Sequence, residues 1–142
     1  MILEPEAAVE AANRLAQTGF QELDQKLQTI DRAVAKNAYF DAAQADLDFH
    51  RTIWRAANDT MFRILDNLTA PMFAFTAILR SLDREVLSGS VRSHEPIAEA
   101  LKRNKPKAIR ESVRDHIEES YGKFLRTEWE DFQSFTRPRE EG

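Results

Sequence analysis

Three histidines and one aspartate are the residues whose types and spacing suggest chemistry in this 142-residue chain. Asp46 precedes His50 by four residues, so on a helix the two side chains lie one above the other and can bind the same ion. Asp46 stands among apolar residues, and a buried carboxylate is costly unless a cation or a metal neutralises it. His94 and His116, on two further helices, would complete a site of three nitrogens and one oxygen around one divalent cation.

Two less specific interpretations of the same residues stay open. A histidine on an apolar face is often a core residue that hydrogen-bonds a carbonyl group. Asp46 can also form a surface pair with His50 or Arg51. The sequence contains no His-Glu-x-x-His motif, and no glutamate stands three residues before a histidine, as the usual di-iron bundle requires. The specific alternative is therefore a mononuclear site.

Helices must position these residues, because apolar residues recur with a period near 3.6 and alternation of strand type is nowhere sustained. The predicted helices cover residues 5–18, 20–37, 39–57, 60–80 and 93–104, and a sixth opens at Pro106. Thr18 and Gly19 are predicted to stop the first helix, and Ser93 to cap the fifth. The sequence therefore predicts an all-α fold, an antiparallel bundle of about six helices.

The fourth predicted helix carries an apolar face and a proline. Its inward side chains are predicted to be Ile64, Leu65, Leu68, Met72, Phe75 and Leu79. Pro71 removes a backbone donor, which predicts a kink. Residues 81–90, where serines flank Gly89, are predicted to form a loop. No linker divides the chain, so we expect one domain over residues 1–135 and a frayed tail at 136–142.

The composition excludes several classes of protein. The chain has no cysteine, which removes disulfides, thiolate metal sites and cysteine nucleophiles. No apolar run reaches the roughly 18 residues of a membrane span, and the first residues lack the order of a signal peptide, so we expect a cytoplasmic protein that contacts no membrane. A net charge of -4 and a pI near 5.4 argue against direct binding of nucleic acid, which needs a concentrated basic surface.

Several motifs together resemble a known family. They are Leu3-Glu4-Pro5-Glu6-Ala7-Ala8, Asp46-Leu47-Asp48-Phe49-His50, Asn58, Ser93-His94-Glu95-Pro96-Ile97 and Arg114-Asp115-His116-Ile117. From about Leu3 to Leu125 the chain resembles the FCD domain, the C-terminal effector domain of FadR-type regulators in the GntR family of transcription regulators. The order Asp-x-x-x-His, His and His is the most specific part of this resemblance.

The resemblance implies an all-α bundle that binds one divalent metal and a small effector, usually an organic acid. It maps the family's metal ligands onto Asp46, His50, His94 and His116. In the family, effector binding acts on an attached winged helix-turn-helix domain, which these 142 residues do not contain. We therefore expect contact with DNA only through that domain, and the chain to be an excised effector domain or a stand-alone relative. A homodimer is expected, as for other bacterial regulators.

The metal is expected to anchor the acid. Three imidazoles and one carboxylate fill four positions of an octahedral ion and leave two for the effector. One aspartate against a divalent cation leaves a net positive site, which attracts an anion. Arginine meets a carboxylate through two hydrogen bonds. The candidate ligand-binding residues are therefore Arg80, Arg84 and Arg14, with Asn58 as a lining residue that is equally suited to capping a helix. Zinc is the expected metal, with nickel or manganese as alternatives.

Two functions of other classes remain open. The first is a mononuclear metal-dependent enzyme of helical-bundle type, because an open metal position can acidify bound water. The sequence places no spare general base beside the ligands at motif spacing, so we expect a sensor and not an enzyme. The second is a metal-free interaction module whose histidines pack in the core, and replacement of His116 separates it from a metal site.

Overall fold

The computed structural model describes residues 3–80 and 93–122 of the chain, and no residue of these two segments lies in a strand. The helices are α1 Leu3–Ala12, α2 Gln17–Ala35, α3 Tyr39–Ala57, α4 Asp59–Arg80, α5 Glu95–Lys102 and α6 Pro106–Ile117, and a π-helical turn at Glu118–Gly122 extends α6. The predicted all-α class is confirmed. The predicted loop at 81–90 and the tail at 136–142 lie outside the described residues.

The boundary between α1 and α2 differs from the prediction, although α3 begins and ends where the sequence predicts. The predicted stop at Thr18 and Gly19 is wrong, because α1 already ends at Ala12. Ala16 has an extended backbone (φ -83°, ψ 173°), and α2 begins at the next residue. A glycine ends a helix by adopting a positive φ, and Gly19 does not do so. It lies instead in the first turn of α2.

α1 and α3 lie at the centre of the bundle. α3 packs against α1, α2 and α4, and α1 also contacts α5 and α6. Small side chains on α1 let the neighbouring helices approach closely, and the buried ones are Ala7, Ala8, Ala11 and Ala12. Larger side chains fill the rest of the core: Leu23, Ile30, Phe49, Trp54, Leu65, Ile97, Leu101 and Ile109. A polar group in this core must find its partner inside the protein.

α4 buries only part of the face that the sequence predicts. Leu65 and Thr69 are buried, whereas Ile64, Leu68 and Met72 are 40%, 56% and 37% exposed. The Thr69 hydroxyl donates a 2.6 Å hydrogen bond to the carbonyl oxygen of Leu65, so this polar side chain is satisfied inside the bundle. The prediction is right for Leu65 and wrong for Ile64, Leu68 and Met72, because burial follows the row of Leu65 and Thr69, about 100° round the helix from the row of Ile64 and Leu68.

α4 is 22 residues long and contains Pro71 in its interior. The side chains of Phe75 and Leu79, which were also expected to face inward, lie outside the described ones. None of the described helices, α4 included, combines the length and the apolar character that crossing a membrane requires.

Two prolines and an asparagine shape the hairpin of α5 and α6. Pro96 and Pro106 lie in the first turns of these helices, where a missing backbone donor costs little. Asn104 adopts φ 46° between the two helices, a left-handed conformation that asparagine tolerates. His94 precedes α5 and His116 lies in the last turn of α6, so the hairpin brings their rings together, with centroids 4.2 Å apart.

Exposed ion pairs connect helices at the surface. Arg110 of α6 donates hydrogen bonds of 2.7 and 3.0 Å to Glu6 of α1, and this interaction lowers the pKa of Glu6 below its usual value. Lys102 of α5 contacts Asp24 of α2 at 2.8 Å. Water screens such pairs and they contribute little to stability, so the buried faces of the helices hold the bundle together.

Candidate metal centre

α3 contributes two of the four predicted metal ligands. Asp46 and His50 lie on successive turns of this helix, and both side chains are buried. Nε2 of His50 lies 3.4 Å from Oδ1 of Asp46, as expected for residues at i and i+4. Arg51, the alternative surface partner for this aspartate, hydrogen-bonds Asp66 of α4 at 2.6 Å. The carboxylate of Asp46 therefore faces the core, together with the imidazole of His50 one turn later.

The hairpin of α5 and α6 brings the other two predicted ligands to the same place. Nε2 of His94 lies 2.7 Å from Oδ1 of Asp46, and Nε2 of His116 lies 3.1 Å from Nε2 of His50. One ligand atom from each of the four side chains lies within 4.8 Å of the other three. We call Asp46, His50, His94 and His116 the His/Asp cluster.

The donor atoms and their spacing fit a divalent cation. Two ligand atoms that each lie about 2.1 Å from one ion are roughly 3.0–3.4 Å apart at bond angles near 90–110°. The Nε2–Nε2 distance of 3.1 Å between His50 and His116 falls in this range, as does the 3.4 Å separation of His50 from Asp46. The 2.7 Å separation of His94 from Asp46 is that of a hydrogen bond. Imidazole and carboxylate together are suitable ligands for zinc and several other transition metals.

The carboxyl group of Asp46 is held in its ionised form. Burial raises its pKa, but the coulombic attraction of His94 and hydrogen bonds with His50 and His94 outweigh burial and hold the pKa well below its usual value. A buried carboxylate needs positive charge beside it, on an imidazolium or on a bound cation. The His/Asp cluster therefore supplies the anionic ligand that a cation site requires.

Two aromatic side chains of α3 pack around the imidazole rings. The ring of Phe49 meets the rings of His50 and His94 edge to face, with centroids 5.6 and 5.1 Å apart. The indole of Trp54 lies 5.9 Å from the His50 ring. Both aromatic side chains are fully buried, so they restrict the orientation of the imidazoles and exclude water from part of the cluster.

Glu4 of α1 is a candidate functional residue that the sequence prediction missed. It is 5% exposed, and its Oε1 lies 3.9 Å from Nδ1 of His50. Burial raises the pKa of Glu4, and the coulombic interaction with His50 counteracts only part of the rise. A signal was present in the sequence, because Glu4 stands three and four residues before Ala7 and Ala8 and so shares the alanine face of α1.

Ser93 hydrogen-bonds a histidine instead of capping α5. The cap position belongs to His94, so the predicted capping role of Ser93 is wrong. The Ser93 hydroxyl lies 2.7 Å from Nδ1 of His116. The capping prediction considered only neighbours in sequence, whereas the partner that the structure provides is 23 residues away on α6.

The structure describes the side chain of one of the three predicted effector-binding arginines, Arg14. The Arg14 guanidinium donates to the carbonyl oxygen of Ala57 and forms a 2.8 Å ion pair with Glu10. It thereby links the end of α1 to the junction of α3 and α4. Arg80 is the last residue of α4, but its side chain lies outside the described ones, and so does the whole of Arg84.

Asn58, the fourth predicted effector-binding residue, caps α4. Its Oδ1 accepts a 2.8 Å hydrogen bond from the backbone N–H of Met61, and its Nδ2 donates a 2.9 Å bond to Glu10. One end of the amide side chain therefore caps α4, and the other end joins it to α1. Of the two roles expected for this residue, the structure supports capping.

Replacement of Asn58 by alanine is expected to lower the free energy of unfolding by about 1–2 kcal/mol, because α4 loses its cap. Urea denaturation of the two proteins measures this difference. Asn67→Ala, at an exposed position inside the same helix, is the matched control and should be neutral or slightly stabilising, since alanine is the better helix former. Equal effects of the two substitutions would contradict the capping role.

Comparison with known proteins places the chain in a family. The FCD domain family matches residues 1–119. The fold is similar to that of E. coli McbR/YncC, with a TM-score of 0.78 and 16% sequence identity over 88% of this chain. The present chain spans 63% of the length of that structure. No curated protein matches the sequence. Because the FCD match covers most of the 142 residues, the chain belongs to the FCD domain family, the effector domains of GntR-type transcription regulators.

Proposed function

We propose that this domain senses a small organic acid for a GntR-type transcription regulator, and that a divalent metal held by the His/Asp cluster anchors the acid. The observation that carries the proposal is the convergence of four ligand atoms within 4.8 Å inside the core. The family and the burial of all four side chains support it. Zinc is the expected metal, with nickel or manganese as alternatives, because these ions accept imidazole and carboxylate ligands.

Each residue of the cluster has a distinct task in this proposal. The Asp46 carboxylate neutralises part of the cation's charge, and the three imidazoles bind it as neutral donors. When bound, the cation supplies the positive charge and the open coordination positions that hold a carboxylate. Phe49 packs against two of the imidazoles and lowers the local polarity, which strengthens attraction between charges at the site.

A sensor must also pass the binding event to another part of the regulator. His94 and His116 tie the α5–α6 hairpin to α3 through contacts with Asp46 and His50. Occupation of the cluster therefore stabilises one position of the hairpin relative to α3, and an effector that prefers this position shifts the population toward it. We propose that the chain acts as a homodimer and reaches DNA through a winged helix-turn-helix domain.

A small carboxylate is expected to stabilise the protein only when the metal is bound. At a concentration about 100-fold above its dissociation constant, the acid should add about 2.7 kcal/mol to the free energy of unfolding. Thermal unfolding with and without Zn²⁺, in the presence of mono-, di- and tricarboxylates, measures this effect. The uncharged amides of the same acids serve as controls and should have no effect.

Two outcomes of this experiment would contradict the proposal. Equal stabilisation by an acid in metal-loaded and metal-free protein would show that the metal is not its anchor. Chemical conversion of an added acid, followed by NMR of the mixture, would favour the mononuclear enzyme instead.

A further inference from the structure

The three histidines of the cluster use the same ring nitrogen. Nε2 of His50 faces Nε2 of His116, and Nε2 of His94 faces the carboxylate of Asp46. A nitrogen that binds a cation must offer its lone pair, so the proton of a neutral imidazole must then be on Nδ1. The affinity of the cluster for a cation therefore depends on what lies beside each Nδ1 atom.

Two of these Nδ1 atoms have oxygen atoms beside them that do not belong to the cluster. The Ser93 hydroxyl lies 2.7 Å from Nδ1 of His116, within hydrogen-bond distance. Oε1 of Glu4 lies 3.9 Å from Nδ1 of His50, which is an electrostatic contact longer than a hydrogen bond. A carboxylate oxygen beside Nδ1 favours the proton on that nitrogen, and a hydroxyl oxygen does so when it accepts the hydrogen bond, which leaves Nε2 free to bind a cation.

The location of Glu4 points to a role in the site. It comes from α1, whereas the imidazole beside it comes from α3, so the contact joins the two central helices. Nearly all of the Glu4 side chain is buried, although burying a carboxyl group is costly. Glu6, two residues later on α1, is exposed and pairs with Arg110. The two glutamates therefore form a natural pair of test and control residues.

We infer that Glu4 and Ser93 are positioning residues of the metal site, which hold His50 and His116 in the tautomer and orientation that direct Nε2 at the cation. This inference rests on the proposed metal site. It assigns α1 a direct part in metal binding, although none of the four ligands comes from α1. The inference also means that the conformation of the segment that begins at Ser93 depends on whether the cluster holds a cation.

The test compares dissociation constants for Zn²⁺, measured by competition with a chelator of known affinity. Glu4→Met removes the acceptor oxygens at nearly constant volume, and Ser93→Ala removes the hydroxyl. Each is expected to raise the dissociation constant roughly 10- to 100-fold, the usual effect of losing such a partner. Glu4→Gln retains an acceptor oxygen and should recover most of the affinity. The controls Glu6→Met and Ser112→Ala should bind Zn²⁺ as the unmodified chain does.

Several outcomes distinguish the inference from the proposal on which it rests. If the unmodified chain binds no Zn²⁺, the proposed metal site itself fails. The positioning role is overturned if the unmodified chain binds Zn²⁺ and the dissociation constants of Glu4→Met and Ser93→Ala lie within threefold of its value. A loss of stability in the metal-free variants with unchanged affinity would also overturn it, because it would show a purely structural role.

A spectroscopic measurement on the unmodified chain provides a test that needs no variant. Long-range ¹H–¹⁵N spectra of the Zn²⁺-loaded protein report which ring nitrogen of each histidine carries the proton. We expect His50 and His116 to be protonated at Nδ1 and coordinated through Nε2. Coordination of either histidine through Nδ1 would overturn the inference.

Discussion

His116→Ala is expected to weaken the binding of Zn²⁺ by more than about 100-fold, because the loss of one of the four ligands costs more than the loss of a residue that only contacts a ligand. The loss should appear in stability as well as in binding. Zn²⁺ at about 1,000 times the dissociation constant stabilises a protein by about 4.1 kcal/mol, and after a 100-fold loss of affinity this value falls to about 1.4 kcal/mol. Thermal unfolding of the two proteins at one Zn²⁺ concentration should therefore differ by on the order of 10 °C.

The same variant separates a metal ligand from a histidine that only packs. His116 is buried against α3, so its removal also lowers the stability of the metal-free protein. A metal ligand loses bound ion and metal-dependent stability together. A packing histidine would lose stability equally with and without Zn²⁺ and leave the amount of bound metal unchanged. Asp115→Ala, at the exposed neighbouring position, is the control and should match the unmodified chain in both measurements.

Phe49→Ala is expected to lower the free energy of unfolding by about 3–5 kcal/mol, the usual range for truncating a fully buried aromatic side chain. The Phe49 ring is completely buried and packs against the rings of His50 and His94, so its removal leaves a cavity beside the cluster. The loss should be present without metal, because the packing does not depend on the cation. Imidazoles that are less well held should also bind Zn²⁺ more weakly.

Phe40 provides a matched control on the same helix. Its side chain is 67% exposed, so Phe40→Ala should change the free energy of unfolding by less than about 0.5 kcal/mol. Urea denaturation of the metal-free proteins gives the comparison. A loss of less than about 1 kcal/mol on Phe49→Ala would mean that the core beside the cluster is not packed as the structure describes.

The sequence predicted those parts of the site that depend on helical spacing and on the chemistry of a few residue types. Asp46 and His50 are four residues apart, so any α-helix over this segment brings them together. The resemblance and the apolar residues around them predict His94 and His116 as the other two ligands. The structure brings both next to the α3 pair because α5 and α6 form a hairpin, with Pro96 and Pro106 at the starts of the two helices.

Features that depend on tertiary packing could not be predicted from the sequence. Periodicity gives the direction of an apolar stripe, but the choice between adjacent rows depends on neighbouring helices. In α4 the buried row contains Thr69, which satisfies its hydroxyl on its own backbone. For the same reason local capping rules assigned Ser93 to α5, although its partner is His116 of α6. Glu4 was overlooked because a glutamate in the first turn of a helix is usually exposed.

Elemental analysis combined with native mass spectrometry of the purified 142-residue chain tests the central claim most directly. The His/Asp cluster predicts one divalent metal ion per chain, removed by a chelator and restored by adding Zn²⁺. With Zn²⁺ about ten times above the dissociation constant of the unmodified chain, His116→Ala should bind roughly a tenth of an ion per chain or less. A folded chain that takes up no metal after incubation with Zn²⁺, nickel or manganese, or that binds it equally well without His116, would contradict the claim.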